Sequence, residues 1–239
     1  MPGPTIAAVA FCPHPPLLVP EIAAGAATET ESLRSACDEA VRRLVAAGPS
    51  QIVILGAHGA GAGLRGFAPG LADLPDDDLP LSLSIGDWLL RQAPRQGSRP
   101  SPAYVAVHPD GSPVAPWPDL TGPTAFLVMA DGSARRSVKG PGYLDPRAES
   151  FDEAVVAALT DADADALASL DGELAAQLLV GGIGAWKAFG KAFGKAFGEP
   201  ARTGDDGPLT SQPTEWKTEL LYAGAPYGVM YVVASWMPA

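Results

Sequence analysis

The residues able to carry chemistry in this chain are few enough to count. Among 239 residues there are three histidines, His14, His58 and His108, and two cysteines, Cys12 and Cys37. Imidazole ligates divalent metals and carries protons near neutral pH, so any such step falls to one of three positions. His14 lies in Cys12-Pro-His-Pro-Pro16, where proline removes amide donors and restricts the residue before it; this is a stiff loop. His58 lies in Gly56-Ala-His-Gly59, directly after the apolar run Ile52-Val-Ile-Leu55. Two imidazoles and a carboxylate make the facial triad that holds non-haem Fe(II). A single histidine beside a strand more often orders its own loop by a hydrogen bond, so spacing alone leaves both readings open. His108, in Val107-His-Pro-Asp110, reads as a surface-loop residue. Two cysteines are too few for a disulfide framework or a cysteine-rich zinc site. Cys12 reads as a buried structural thiol, with a reactive thiol as the alternative.

The elements that must position these residues follow from the apolar pattern. Thr5 to Cys12 is a short apolar run ending in proline and predicts a buried strand. Thr30 to Ala47 predicts a helix, with Leu33, Cys37, Val41, Leu44 and Val45 on one face and Gly48-Pro49 as its stop. Ile52 to Leu55 predicts a strand buried on both faces, as in parallel sheets. The order is therefore strand, histidine loop, helix, strand, histidine loop. Open α/β sheets place their ligands just past the carboxyl ends of strands, which is where both histidines fall.

Further along, Gly61 to Pro80 predicts a solvated loop, Ile85 to Gln92 a short helix, and Tyr104 to Val107 and Ala125 to Met129 strands. Phe151 to Leu159 and Ala164 to Val180 predict helices. Residues 187 to 198 spell Lys-Ala-Phe-Gly three times, placing Phe189, Phe193 and Phe197 on one stripe. The stripe reads as a duplicated turn packed on the core or fraying at the surface, and as a partner- or lipid-facing helix in the alternative. Its three glycines weaken it by about 1 kcal/mol each. Residues 199 to 212 predict a loop, about Glu215 to Tyr222 a helix, and Val229 to Trp236 a closing strand.

Composition excludes several classes. Sixteen Lys and Arg against 27 Asp and Glu give a net charge of −11, which opposes binding to nucleic acid or an anionic membrane. No run reaches about 18 uninterrupted apolar residues. No Lys or Arg precedes Arg34, so the apolar start lacks an export signal's basic region and the expected location is cytoplasmic. Gly61-Ala-Gly-Leu-Arg-Gly66 begins several residues beyond the strand and opens no helix to receive a pyrophosphate. No Walker A or Gly-x-Ser-x-Gly motif is present.

Four segments, in order and spanning nearly the whole chain, resemble the LigB-type class III extradiol dioxygenases. Phe11-Cys-Pro-His-Pro-Pro-Leu-Leu-Val-Pro-Glu21 is similar to the opening strand and first metal-histidine loop, and Val53-Ile-Leu-Gly-Ala-His-Gly59 to the second. Ala130-Asp-Gly-Ser-Ala-Arg-Arg136, with Gly142-Tyr-Leu-Asp-Pro-Arg147 and Phe151-Asp152, resembles the Gly-Asp-Leu-Ser-His-Arg segment and its sequel. Leu220-Leu-Tyr-Ala-Gly-Ala-Pro-Tyr-Gly-Val229 is similar to the closing stretch of bacterial LigB-like and Memo-like proteins.

The resemblance implies one α/β domain with a mixed sheet and helices on both faces. It implies Fe(II), with Zn as the alternative, held by two histidines and a glutamate. A catechol-like aromatic diol and dioxygen are the substrates, and a separate histidine is the acid/base. Matched residue by residue, His14 and His58 take the metal positions and Glu215 the glutamate, with Glu219 as the other choice. At the acid/base position this chain has Ala134, which carries no titratable proton; general acid–base help is typically worth about 10²–10⁴-fold in rate. His108 is the one spare histidine that could substitute. Asp131 and Ser133 are expected to line the substrate pocket. The expectation is an extradiol dioxygenase-like oxidoreductase with impaired or altered catalysis, and the alternative is a non-catalytic LigB-like binding or scaffold protein. Pairing with itself or with a second subunit is also in keeping with the resemblance.

Overall fold

Short apolar runs flanked by proline and glycine become the strands of one sheet, and the longer amphipathic runs become the helices that cover it. The computed structural model describes residues 4–23, 28, 30–59, 63–67, 79–94, 100–198 and 215–239. In chain order these form β1 (Thr5–Cys12), α1 (Pro20–Ala23), α2 (Glu31–Ala46), β2 (Gln51–Ala57), α3 (Leu64–Phe67), α4 (Leu81–Gln92), β3 (Pro102–Val107) and β4 (Pro123–Met129). There follow α5 (Arg147–Thr160), α6 (Ala164–Ala168), α7 (Gly172–Gln177), α8 (Ile183–Gly198), β5 (Trp216–Gly224) and β6 (Tyr231–Pro238).

The six strands lie in the order β3-β2-β4-β1-β6-β5. The first four are mutually parallel, and β6 and β5 add antiparallel on the β1 side. Alternation along each strand sorts the core into two layers. Ala8, Ala10, Ile52, Ile54 and Leu127 face Leu33, Val41 and Leu44 of α2 and Leu83 and Leu89 of α4. Their neighbours Val9, Phe11, Val53, Leu55, Phe126 and Val128 face Phe151 and Val155 of α5, Leu167 of α6 and Trp186, Phe189 and Phe193 of α8. The fold is thus a single α/β domain, its mixed sheet covered by helices on both faces, as the sequence led us to expect.

Two of the Lys-Ala-Phe-Gly phenylalanines are core anchors. Phe193 meets Phe126 at 4.7 Å and Phe189 meets Phe11 at 5.2 Å, both edge to face. The repeat's Gly190 lets α8 approach α6, since a Cβ there would lie 2.4 Å from the Ala168 nitrogen. The side chain of Phe197 lies outside the described residues.

Three expectations are corrected. Within Gly61 to Pro80, expected as a loop in which Gly61–Gly66 opens no helix, Leu64–Phe67 forms the single turn α3. Ala164 to Val180 is two short helices rather than one, because side chains cap each start. Asp163 accepts from the Ala166 amide, and Asp171 accepts from the Glu173 and Leu174 amides. The segment expected to be helical from Glu215 to Tyr222 is strand β5, paired antiparallel with β6 from Trp216↔Pro238 to Gly224↔Tyr231. Leu220-Leu221 suits either structure, and the ladder offered by β6 decides it. Most of Gly61 to Pro80, and all of 199–212, lie outside the described residues. No helix among the described residues is long and apolar enough to cross a membrane.

Candidate functional site at the carboxyl ends of the parallel strands

The strand registers align four polar residues. Cys12 pairs with Met129, Met129 with Gly56, and Gly56 with Ala106, so these four form one rank across the parallel half of the sheet. Two residues beyond each stands His14, Asp131, His58 or His108. The ladder continues past the strand ends: the Ala130 amide donates to the Cys12 carbonyl (2.9 Å) and the His58 amide to the Val107 carbonyl (2.7 Å). The strands lie in the order β1, β4, β2, β3, so the residues two beyond the rank follow in the order His14, Asp131, His58, His108.

The row divides into two couples. The His14 amide donates to Asp131 Oδ1 at 2.7 Å, and His14 Nδ1 lies 3.5 Å from the same oxygen. Both side chains are mostly covered, at 12% and 16% exposure. His14 Nδ1 is buried and has no hydrogen-bond partner among the described residues. On the other side the His58 and His108 rings stand edge to face, 5.5 Å apart, both exposed. His108 is an exposed loop residue, as expected, and stands beside His58.

The segment before α8 closes over the first couple. A Cβ on Gly182 would sit 2.3 Å from the Ala130 Cα, and one on Gly181 would meet Asp131 Oδ2 at 3.7 Å and His14 Nε2 at 3.8 Å. This close approach requires glycine at Gly182. It brings the positive end of a 16-residue helix to the row. Behind Asp131, burial and then the Asp131 charge push the hydroxyl of Tyr231 up from its ordinary value, with Tyr222 and Tyr227 adding to the shift. Burial and a hydrogen bond with Cys12 likewise push the Cys37 thiol up. Both cysteines are buried, which is the structural role.

Other expected site residues lie elsewhere. Glu215 is exposed at the start of β5, where its carbonyl accepts from the Ala239 amide. The registers Val9↔Trp236 and Trp236↔Thr218 put it eight residues back along the sheet from His14, roughly 25 Å at about 3.3 Å per residue. It does not meet the histidines. Glu219 does not either, for it pairs with Arg43 of α2. Ser133 is fully buried; its hydroxyl donates to Asp152 at 2.6 Å, its amide donates to the same carboxylate, and Arg136 completes the network. It braces the turn after β4. Ala134 holds the same turn through its backbone, donating to the Leu178 carbonyl and accepting from the Gly142 amide.

The ion that the resemblance implies does not fit the set His14, His58 and Glu215, because the glutamate is at the far end of the sheet. Among the described residues no three His, Cys, Asp or Glu side chains are gathered to hold a metal ion. What this arrangement offers as it stands is hydrogen bonding and charge. It has exposed imidazoles, a carboxylate and a helix amino end, on a rigid base. Sequence reasoning did not anticipate the central place of Asp131, the pairing of His58 with His108, or Tyr231. The first two depend on register, and Tyr231 opens an apolar strand with nothing local to distinguish it. The fold and row define an α/β protein with a polar row at the carboxyl ends of its parallel strands. No family model and no curated protein matches the chain.

Proposed function

We propose that this chain is a LigB-like binding protein that takes a small hydroxylated aromatic on its strand-end row and does not cleave the ring. The observation that carries the reading is the in-register row of His14, Asp131, His58 and His108. It sits where open α/β sheets bind ligands and presents donors and acceptors suited to paired hydroxyls. Against ring cleavage stand the alanine at position 134 and the distance of Glu215 from the row.

The test is equilibrium binding of simple catechols, beside oxygen uptake with added Fe(II). The reading expects saturable binding, about tenfold weaker for His58→Ala, a loss of about 1.4 kcal/mol, and no oxygen consumption. Absence of binding would overturn it. Oxygen uptake with a yellow ring-cleaved product, lost in His14→Ala, would establish instead the second reading, a metal-dependent oxidoreductase. One observation favours that second reading: His108 lies against His58, where it could carry the proton that Ala134 cannot. Ala134→His would then raise turnover, and His108→Ala would abolish it.

A further inference from the structure

We infer that the cleft between α5, α6 and α7 binds a medium-chain alkyl carboxylate, with Arg147 taking the carboxylate and an apolar floor taking the chain. The cleft lies among the helices over one face of the sheet and shares no residue with the strand-end row, so the inference stands apart from the reading above.

The cleft has a volume of about 510 Å³. Small-molecule sites occupy about 300–1,000 Å³ and are mostly apolar, with a few polar groups that fix orientation. Here Phe151 of α5, Leu170 and Leu174 of α7 make the floor, and Ala154 and Ala166 extend it. Phe151 and Leu170 belong to the packed core, so the floor is rigid. Along α5 the lining runs Arg147, Ser150, Phe151, Ala154, the three- and four-residue spacing of one helix face. The guanidinium marks one end of that face and Ala154 the other, about 10 Å along the axis at 1.5 Å per residue. A carboxylate carrying an alkyl chain presents its groups in the same order.

Charge selects an acid over an alcohol or an amine. A guanidinium has five N–H donors. Nε and one terminal nitrogen of Arg147 hold Asp145 at 3.0 and 2.7 Å, and the other terminal nitrogen donates to Gln177 at 2.8 Å. One N–H on each terminal nitrogen is left, and such a pair suits an oxyanion. Asp145 and Gln177 meanwhile hold the head in place. Lys187 of α8 adds a second cation: it donates to the Leu170 carbonyl at 2.7 Å, and no carboxylate among the described residues forms an ion pair with it. The one carboxylate in the lining, Asp171, accepts from the Glu173 and Leu174 amides as the cap of α7, which offsets its charge.

The experiment titrates the full chain with hexanoate, octanoate and decanoate, and with octanol beside octanoate, read by calorimetry and by backbone amide resonances. The expected result is one site per chain, with affinity rising about fourfold for each added methylene. Octanoate should bind about tenfold more tightly than octanol, and Arg147→Leu should remove that preference while leaving octanol binding unchanged. Ala154→Phe, at an exposed position of α5, fills the cleft and should weaken decanoate by about tenfold or more. Should either variant fail to fold by circular dichroism, the unaltered protein decides. Decanoate shifting the amides of residues 150–154 and 169–174 while His14 and His58 stay still supports the site; shifts at the row, or at neither place, overturn it. Octanol binding as tightly as octanoate, or decanoate binding unchanged in Ala154→Phe, also overturns it.

Discussion

The parallel and antiparallel halves of the sheet are built differently. β2 and β4 are buried from end to end apart from their terminal residues, and their side chains go alternately to two helical layers. β5, at the antiparallel edge, is exposed or half-covered along its whole length. A strand buried on both faces cannot slip without burying polar groups, so its register is strongly specified. The parallel half therefore holds four strand ends in line, and the polar row stands there. The edge strand is held by pairing with β6 and by the charges of Glu219 with Arg43, and Arg43 also meets Glu39. Rigidity and candidate chemistry share one half of the sheet.

The contrast can be broken most directly by truncating one side chain in each half. Phe126→Ala, in the centre of β4, should cost about 3–5 kcal/mol, and Leu220→Ala on β5 about 0.5 kcal/mol. Urea denaturation measures both; similar losses would erase the distinction. Gly182→Ala sharpens it, because the added methyl must displace Ala130 or the start of α8. The expected cost is about 1–3 kcal/mol, with chemical-shift changes at His14 and Asp131 but none along β5.

Much of the parallel half is legible in the sequence, and little of the edge is. Ile52-Val-Ile-Leu55 can only be buried, and Pro13 follows the end of β1 in the sequence as in the structure, while β2 continues through Gly56 to Ala57. The histidine loops thus fall past strand ends by local rules alone. The assembly of the row is not local. That Asp131 falls between His14 and His58 depends on β4 inserting between β1 and β2, which no spacing in the sequence encodes. Glu215 illustrates the reverse. Its segment carries both helical and strand spacing, and pairing with β6 settles the matter and carries the glutamate to the far end of the sheet.

A smaller effect is expected on the alkaline side. Burial raises Cys37 above its ordinary 9.0 and Tyr231 above its ordinary 10.0, so in the folded state both hold their protons where the unfolded chain loses them. Their contribution is complete below those ordinary values and is lost as pH rises through them. Unfolding midpoints should fall from about pH 9 upward, and Tyr231→Phe should flatten the part above pH 10. A midpoint flat through this range would contradict the burial of these groups.

The smallest effect belongs to the edge. Arg43→Ala should cost no more than about 1 kcal/mol, as solvent-exposed ion pairs do. Arg42 and Arg43 hold the Glu39 carboxyl down to about 2, and Arg43 lowers Glu219. The stabilisation is present above their ordinary 4.5 and disappears as pH falls below it towards 2. Thermal melts at pH 7 and pH 3 measure it; an equal difference between the variant and the unaltered chain at both values would remove the clamp from the account.

The central claim is that the row at the parallel strand ends is where this chain meets its ligand. Titrating the protein with a simple catechol while following the ring resonances of its three histidines and the amides of β5 tests it most directly. The account expects His14 and His58 to move along one saturating curve while the amides of Glu215 and Glu219 stay still. Histidines that do not move at saturating catechol, or movement confined to β5, would contradict it.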